Sequence, residues 1–244
     1  RCSTAVGYLN PIKKRGNLKI ITNAHVKKIN FQNKIAKEVE YWQNNEVKKL
    51  VVNREIILSS GSIGSPQILQ TSGIGNANKL NNLGIEVVQE LKGVGENLQD
   101  HLDTMVTVRS KKAESIGVSW RSLFPQVIMS PFRYYFKRMG WWTTNFVEAG
   151  GFAETDLAPS NYPDVQFHFT PIYRSHRGRK FEFGHGYSLF TCLLRPYSRG
   201  TVKLGRVDNK LKLLIDHNLL YDLIDEKKKI EEIKKTKKLK TTKY

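Results

Sequence analysis

Fifteen residues, Gly61 to Gly75 (GSIGSPQILQTSGIG), limit what this chain can fold into more than any other stretch. They hold four glycines, one proline and four Ser or Thr around a short apolar centre. The residues before them, Glu55 to Ser60 (EIILSS), form an apolar run ending in small side chains. That is the pattern of a buried strand entering a turn. Ser65 is a good N-cap, and Pro66 suits the first helical position, where a missing N–H costs nothing. Ile68 and Leu69 give the helix a buried side, and Gly73 stands where a C′ glycine closes it. The stretch therefore predicts strand, glycine turn, short helix, glycine turn. Such a turn lets main chain approach a ligand closely. Gly61 and Gly64 carry no Cβ, and a helix N-terminus offers unpaired N–H groups to an electron-rich group.

The flanking segments supply the rest of a mixed fold. Leu18–Thr22, Val26–Phe31, Ile35–Trp42 and Val47–Val52 are β-prone runs separated by Asn-containing breaks, which predicts an antiparallel meander. Ala77–Leu83 reads as a short helix closed by Gly84, and Ile85–Val88 as a strand. Gly93 to His101 (GVGENLQDH) is a glycine-rich loop ending in polar groups. Trp120 to Phe146 is rich in aromatics, Phe124 among them, with a helix over Pro131–Met139. It reads as a segment packed over a core, or as an aromatic lid on an apolar site. Asp164–Thr170 alternates, placing Val165, Phe167 and Phe169 on one face and His168 on the other. Gly186–Arg195 is a further strand, and Thr201–Leu204 with Leu211–Ile215 reads as a hairpin across Asp208-Asn209. The Lys-rich end from Glu226 carries a thin stripe of Ile230, Ile233 and Leu239.

A chain of 244 residues allows one large or two ordinary domains. No apolar run reaches the roughly 18 residues of a membrane-spanning helix. The chain opens Arg1-Cys2-Ser3 with neither Met nor a leader, which reads as an internal fragment. Cys2 and Cys192 make neither a metal motif nor a disulfide framework. The net charge is +18. Glu226 to Tyr244 holds nine Lys and three Glu, a net of +6, and the other +12 is spread over 225 residues. With no zinc-ligand spacing, RNP pattern or KH loop, this reads as a solvated Lys-rich surface, with no nucleic-acid partner.

The chemistry-bearing residues do not make a catalytic set. Gly73-Ile74-Gly75 and Gly93-Val94-Gly95 lack the third glycine of a dinucleotide fingerprint. There is no phosphate loop of the Walker type and no nucleophile elbow. Of His25, His101, His168, His176, His185 and His217, none is paired at metal-ligand spacing on a helix, so no metal site is expected.

Gly61, Ser62, Ser65, Pro66, Ile68, Leu69, Ser72, Gly73, Ile74 and Gly75 resemble the second signature of the glucose–methanol–choline oxidoreductases, a family of flavoenzymes. NLKIITNAHVKKI, REIILSSG and GVGENLQDH are similar to the segments around that signature. VEAGGFAET, PDVQFHF and RPYSRGTVKL are similar to the substrate domain, most closely in the insect glucose-dehydrogenase-like branch. The resemblance implies an α+β to α/β fold: a partial FAD-binding domain over residues 1–105, then a substrate domain over 106–244 with an antiparallel sheet flanked by helices. It implies FAD as cofactor, an alcohol or sugar as substrate, and oxygen or a quinone as electron acceptor. The backbone of Val26 matches the position that meets the adenine. Ser60 and Gly61 match the strand end that passes the cofactor. Asn97, Asp100 and His101 match a loop on the isoalloxazine side. The family's opening pyrophosphate fingerprint and its closing catalytic His are not in this sequence, so no residue is carried over as catalytic base. The expectation is a fragment incompetent alone, the alternative being a non-catalytic binding remnant. The compartment is left unassigned.

Overall fold

The computed structural model describes residues 2–111, 115–117, 119–120, 122, 127–159, 161–173 and 183–241. Phe124 and His176 lie outside the described residues. The elements are β1 (His25–Gln32), β2 (Ile35–Gln43), β3 (Glu46–Val51), α1 (Gly61–Thr71), β4 (Ile74–Gly75), α2 (Ala77–Asn82) and β5 (Gln89–Glu90). They continue with β6 (Asp103–Ser110), α3 (Ser130–Lys137), β7 (Ala149–Ala153), β8 (Val165–Thr170) and β9 (His185–Leu193). A hairpin of β10 (Thr201–Val207) and β11 (Lys210–Asp216) precedes the last helix, α4 (Leu223–Thr241). The mixed α and β class is as the sequence predicts.

Two-residue turns set the register of three hairpins. Asn33-Lys34, Asn44-Asn45 and Asp208-Asn209 all have both φ angles between +49° and +63°. That backbone twists with the strands it joins, and Asn and Asp tolerate it best. The turns leave Gln32 opposite Ile35, Gln43 opposite Glu46, and Val207 opposite Lys210. Three predicted strands do not form: residues 18–22, 55–58 and 85–88 are irregular, and the short β5 at Gln89–Glu90 follows the last of them. An extended run becomes a strand only against a partner, and among the described residues none of the three runs has a ladder partner.

The chain divides into two compact units, residues 1–98 with 201–216, and residues 99–200 with 217–244. In the first, β1–β2–β3 form an antiparallel sheet, and Ile29, Ile68, Leu80, Val202 and Leu204 are buried. Gln70 ties α1 to β10 across more than 130 residues: its Nε2 donates to Val202 O (2.9 Å), and its Oε1 accepts from Leu204 N (3.1 Å). The side-chain amide thus serves β10 as a neighbouring strand would. Asn76 caps α2 by accepting from Lys79 N–H at 3.1 Å.

In the second unit an antiparallel sheet has the order β6-β9-β8-β7, and α4 packs on β6 and β9. This helix departs most from expectation. Ile230 and Leu239 are exposed, while Asp225, Lys228, Lys229, Glu232 and Thr236 are buried. Those five follow helical spacing, so the inward stripe is polar. It is tolerated because each charge has partners. Asp225 accepts from the backbone N–H of Tyr197 and Ser198 and from Ser198 Oγ, at 2.6–2.8 Å. Lys228 Nζ meets Asp164 Oδ2 at 3.0 Å, both side chains at most 2% exposed. Lys229 Nζ donates to Leu102 O, Thr191 O and Glu232 Oε1.

Candidate functional site

The glycine-flanked turn stands in solvent. Ser60, Gly61, Ser62 and Ile63 are all exposed. The helix begins at Gly61 and not at Ser65, with Pro66 inside it. Ser65 Oγ instead accepts from Ser60 N–H at 3.1 Å. Ser60, at the cap, makes no side-chain hydrogen bond to the helix, so first-turn amides keep the unpaired donors common to helix starts. Gly61 has φ +78°, and a Cβ built there would meet nothing within 4 Å. The main chain is therefore bare on that side, which fits close approach by a flavin nucleotide. Gly64 serves differently from the sequence reading: its Cβ would lie 2.9 Å from Ser60 Cβ, so its missing side chain tightens the turn.

Val26 is half-buried on β1, the edge strand of its sheet, beside a register shift at Lys27. The far end of α1 clamps this strand. Thr71 Oγ1 donates to Lys27 O, and Ile29 N–H donates to Ser72 Oγ, both at 2.8 Å. A groove of about 370 Å³ lies at this end, lined by Lys28, Ile29, Thr71, Ser72 and Glu86 among others. Eleven residues of helix separate Gly61 from the clamp, roughly 16 Å. A ligand touching both the Gly61 amides and the Val26 strand must therefore be elongated, as a dinucleotide is.

The glycine-rich loop contributes exposed groups. Asn97 has φ +67°. Asp100 Oδ1 accepts from His101 N–H at 2.9 Å, and its Oδ2 lies 3.9 Å from His217 Nε2. His185 is buried with both ring nitrogens in contact, Nε2 with Ser119 Oγ (2.9 Å) and Nδ1 with Ser115 O (3.0 Å). It is a structural histidine. Among the described residues no cluster of His, Cys, Asp and Glu is placed to hold a metal ion.

Sequence reasoning missed a polar row on the second unit's sheet. Cross-strand register aligns Asp103, Cys192 and Gln166, with His168 one pair further along on the same face. The opposite face carries Thr104, which donates to Glu232 on α4. Burial raises the Asp103 pKa, against the Cys192 hydrogen bond and the fields of Lys229 and His168. Cys192 Sγ donates to Asp103 Oδ1 at 3.5 Å. Burial first, then the Asp103 charge, pushes its thiol up to about 11. Only the alternation around His168 hinted at this face. Thiolate, not thiol, is the nucleophile. Cys192 is therefore expected to react with a maleimide at mildly alkaline pH about a hundredfold more slowly than exposed Cys2. Peptide mapping of the labelled protein against time checks this.

Residues 1–103 match the sequence model of a family described as GMC oxidoreductase. The chain is also 40% identical over 236 residues to an alcohol dehydrogenase [acceptor] of Pseudomonas putida.

The chain belongs to the GMC oxidoreductases.

The Pseudomonas match covers 96% of this GMC chain and 42% of the relative. Oxygen-dependent choline dehydrogenase 1 of Chromohalobacter salexigens is 38% identical over 210 residues, covering 86% of the chain and 37% of that protein. The GMC chain thus spans about two fifths of the length of these relatives. Its fold matches that of an Aspergillus oryzae formate oxidase variant, with TM-score 0.81, 21% identity, and coverage of 93% of this chain and 44% of that one. It also matches pyridoxine 4-oxidase from Mesorbium loti, with TM-score 0.75, 20% identity, and coverage of 99% and 43%.

Proposed function

We propose that this chain is part of an FAD-dependent oxidoreductase acting on the CH–OH group of an alcohol or sugar, with oxygen or a quinone as final acceptor. The observation that carries this reading is the bare, left-handed Gly61 at the open start of α1. Ser60 and Gly61 hold the passing cofactor by main chain, and the edge strand at Val26 holds its adenine end. Bound FAD supplies a two-electron acceptor for the hydride that leaves the carbinol carbon. Residues 1–105 contribute to the cofactor part and 106–244 to the substrate part. The open sheet face with Asp103, Gln166 and His168 offers hydrogen-bonding groups suited to a hydroxylated substrate. The insect glucose-dehydrogenase-like branch rests on the VEAGGFAET, PDVQFHF and RPYSRGTVKL motifs. The two bacterial relatives carry alcohol and choline dehydrogenase names. No residue here is assigned the base that takes the hydroxyl proton. Lacking one lowers rates by about 10²- to 10⁴-fold, so these residues alone are not expected to turn over an alcohol.

Titrating the purified chain with FAD tests the reading. Binding is expected to shift the flavin absorbance band, and Gly61→Val is expected to weaken it by about tenfold or more through strain and a blocking side chain. A chain that leaves the flavin spectrum unchanged yet melts cooperatively sinks the cofactor assignment and favours the non-catalytic remnant.

A further inference from the structure

Helix α3 is inside out for a water-soluble surface. Phe132, Tyr135 and Phe136 follow i, i+3, i+4 spacing, the stripe a helix ordinarily buries, and Met139 lies two residues past the helix, beyond the left-handed Arg138. Here the four are 56, 72, 75 and 64% exposed. Trp142, in the turn just beyond, is 61% exposed. With Pro131, Tyr134 and the α3 aromatics it lines an apolar hollow of about 550 Å³. The segment read from sequence as packed over a core, or as an aromatic lid, presents Phe132, Tyr135, Phe136 and Trp142 to solvent.

Charge decides what covers this face. Between Ser115 and Val147 the sequence has Arg121, Arg133, Lys137 and Arg138 and no Asp or Glu. Among the described residues Arg133 and Lys137 have no carboxylate partner, and the Arg138 guanidinium lies 5.0 Å from the Tyr134 ring centroid. Arg133 and Lys137 stand beside the apolar stripe, one residue on from Phe132 and Phe136. A second copy docked on this face would bring like charges together. An apolar protein surface would leave the cations without partners. A lipid interface answers both features, because rings enter the acyl boundary while Lys and Arg reach up to phosphates. We propose that α3 and the Trp141–Trp142 turn dock this unit on an anionic lipid surface. Phe132, Tyr135, Phe136, Met139 and Trp142 enter the interface, and Arg133, Lys137 and Arg138 meet headgroup phosphates. The docking is peripheral: among the described residues no helix is long and apolar enough to cross a membrane.

Co-sedimentation of the full chain with vesicles of phosphatidylcholine, alone or mixed with phosphatidylglycerol, tests the proposal. Partitioning is expected to be about a hundredfold stronger to the anionic vesicles, from three cations near the surface. It weakens as salt is raised. Phe132→Ser with Phe136→Ser is expected to lower partitioning to anionic vesicles by about tenfold or more. Arg133→Glu with Lys137→Glu removes the preference for anionic lipid. These side chains are exposed, so the melting temperature of either variant stays that of the parent. Absence of binding, equal binding to both compositions, or self-association abolished by Phe136→Ser overturns the proposal.

Discussion

Asp164→Ala is expected to destabilise the second unit by about 3–5 kcal/mol. Asp164 is 1% exposed. One of its oxygens accepts from Thr155 N–H at 2.8 Å, and the other from Thr155 Oγ at 2.7 Å and from Lys228 Nζ at 3.0 Å. Removing it leaves the Lys228 ammonium buried, with the Tyr197 ring 5.3 Å away and no counter-charge. Desolvation of an unpaired cation is the term that dominates. In a chain of this length the loss corresponds to a fall in Tm of roughly 10 °C. Replacing both partners, Asp164→Leu with Lys228→Met, is expected to recover much of it, because two apolar groups need no pairing. A single truncation costing under about 1 kcal/mol would mean that water reaches the pair.

The same carboxylate makes the unit acid-sensitive. Burial pushes the Asp164 pKa up, but the two Thr155 hydrogen bonds and Lys228 together outweigh it, so the net shift is downward. A carboxylate with a depressed folded pKa adds stability above its unfolded pKa of about 4, and that stability is lost as pH falls through the lower folded value. The loss below about pH 4 disappears in the Asp164 variants.

What the sequence reveals divides along the range of the interactions. The Asn33, Asn44 and Asn209 turns were readable, because left-handed φ is a local demand that few residues meet. Gly73 was readable for the same reason, and its φ is +83°. The start of α1 was not, since Ser65 and Pro66 look like a helix start while the chain is already helical at Gly61. The inward face of α4 was hidden more deeply. Lys229 is satisfied by Thr191 and Leu102, 38 and 127 residues earlier, so nothing local distinguishes it from the exposed lysines around it. The Asp103–Cys192 pair likewise spans 89 residues and exists only once β6 and β9 are in register. The Gly61 turn could be found because its meaning lies in backbone freedom. The facing residues of the sheet could not, because theirs lies in pairing.

Gly73→Ala is expected to cost the first unit about 3–5 kcal/mol, whereas Gly61→Ala costs about 1 kcal/mol. Both glycines have left-handed φ, so the backbone strain of an alanine is alike at the two positions. Their surroundings differ. At Gly61 a Cβ points into open space, while at Gly73 it would collide with Glu86 O and lie 3.1 Å from Val88 N. Neither atom is the end of a flexible side chain. Val88 N–H donates to Gly73 O at 2.9 Å and Gln89 N–H to the same oxygen at 3.3 Å. Moving the 86–89 segment away therefore breaks the contacts that pair β4 with β5. Urea unfolding of the two variants separates these contributions, and Trp42, the single tryptophan of the first unit, reports on it by fluorescence. A difference under about 0.5 kcal/mol between the variants would show that conformation alone requires glycine at 73. The expected larger gap assigns Gly73 to packing the end of α1 against the chain, and leaves Gly61 as the position whose missing side-chain volume meets only open space.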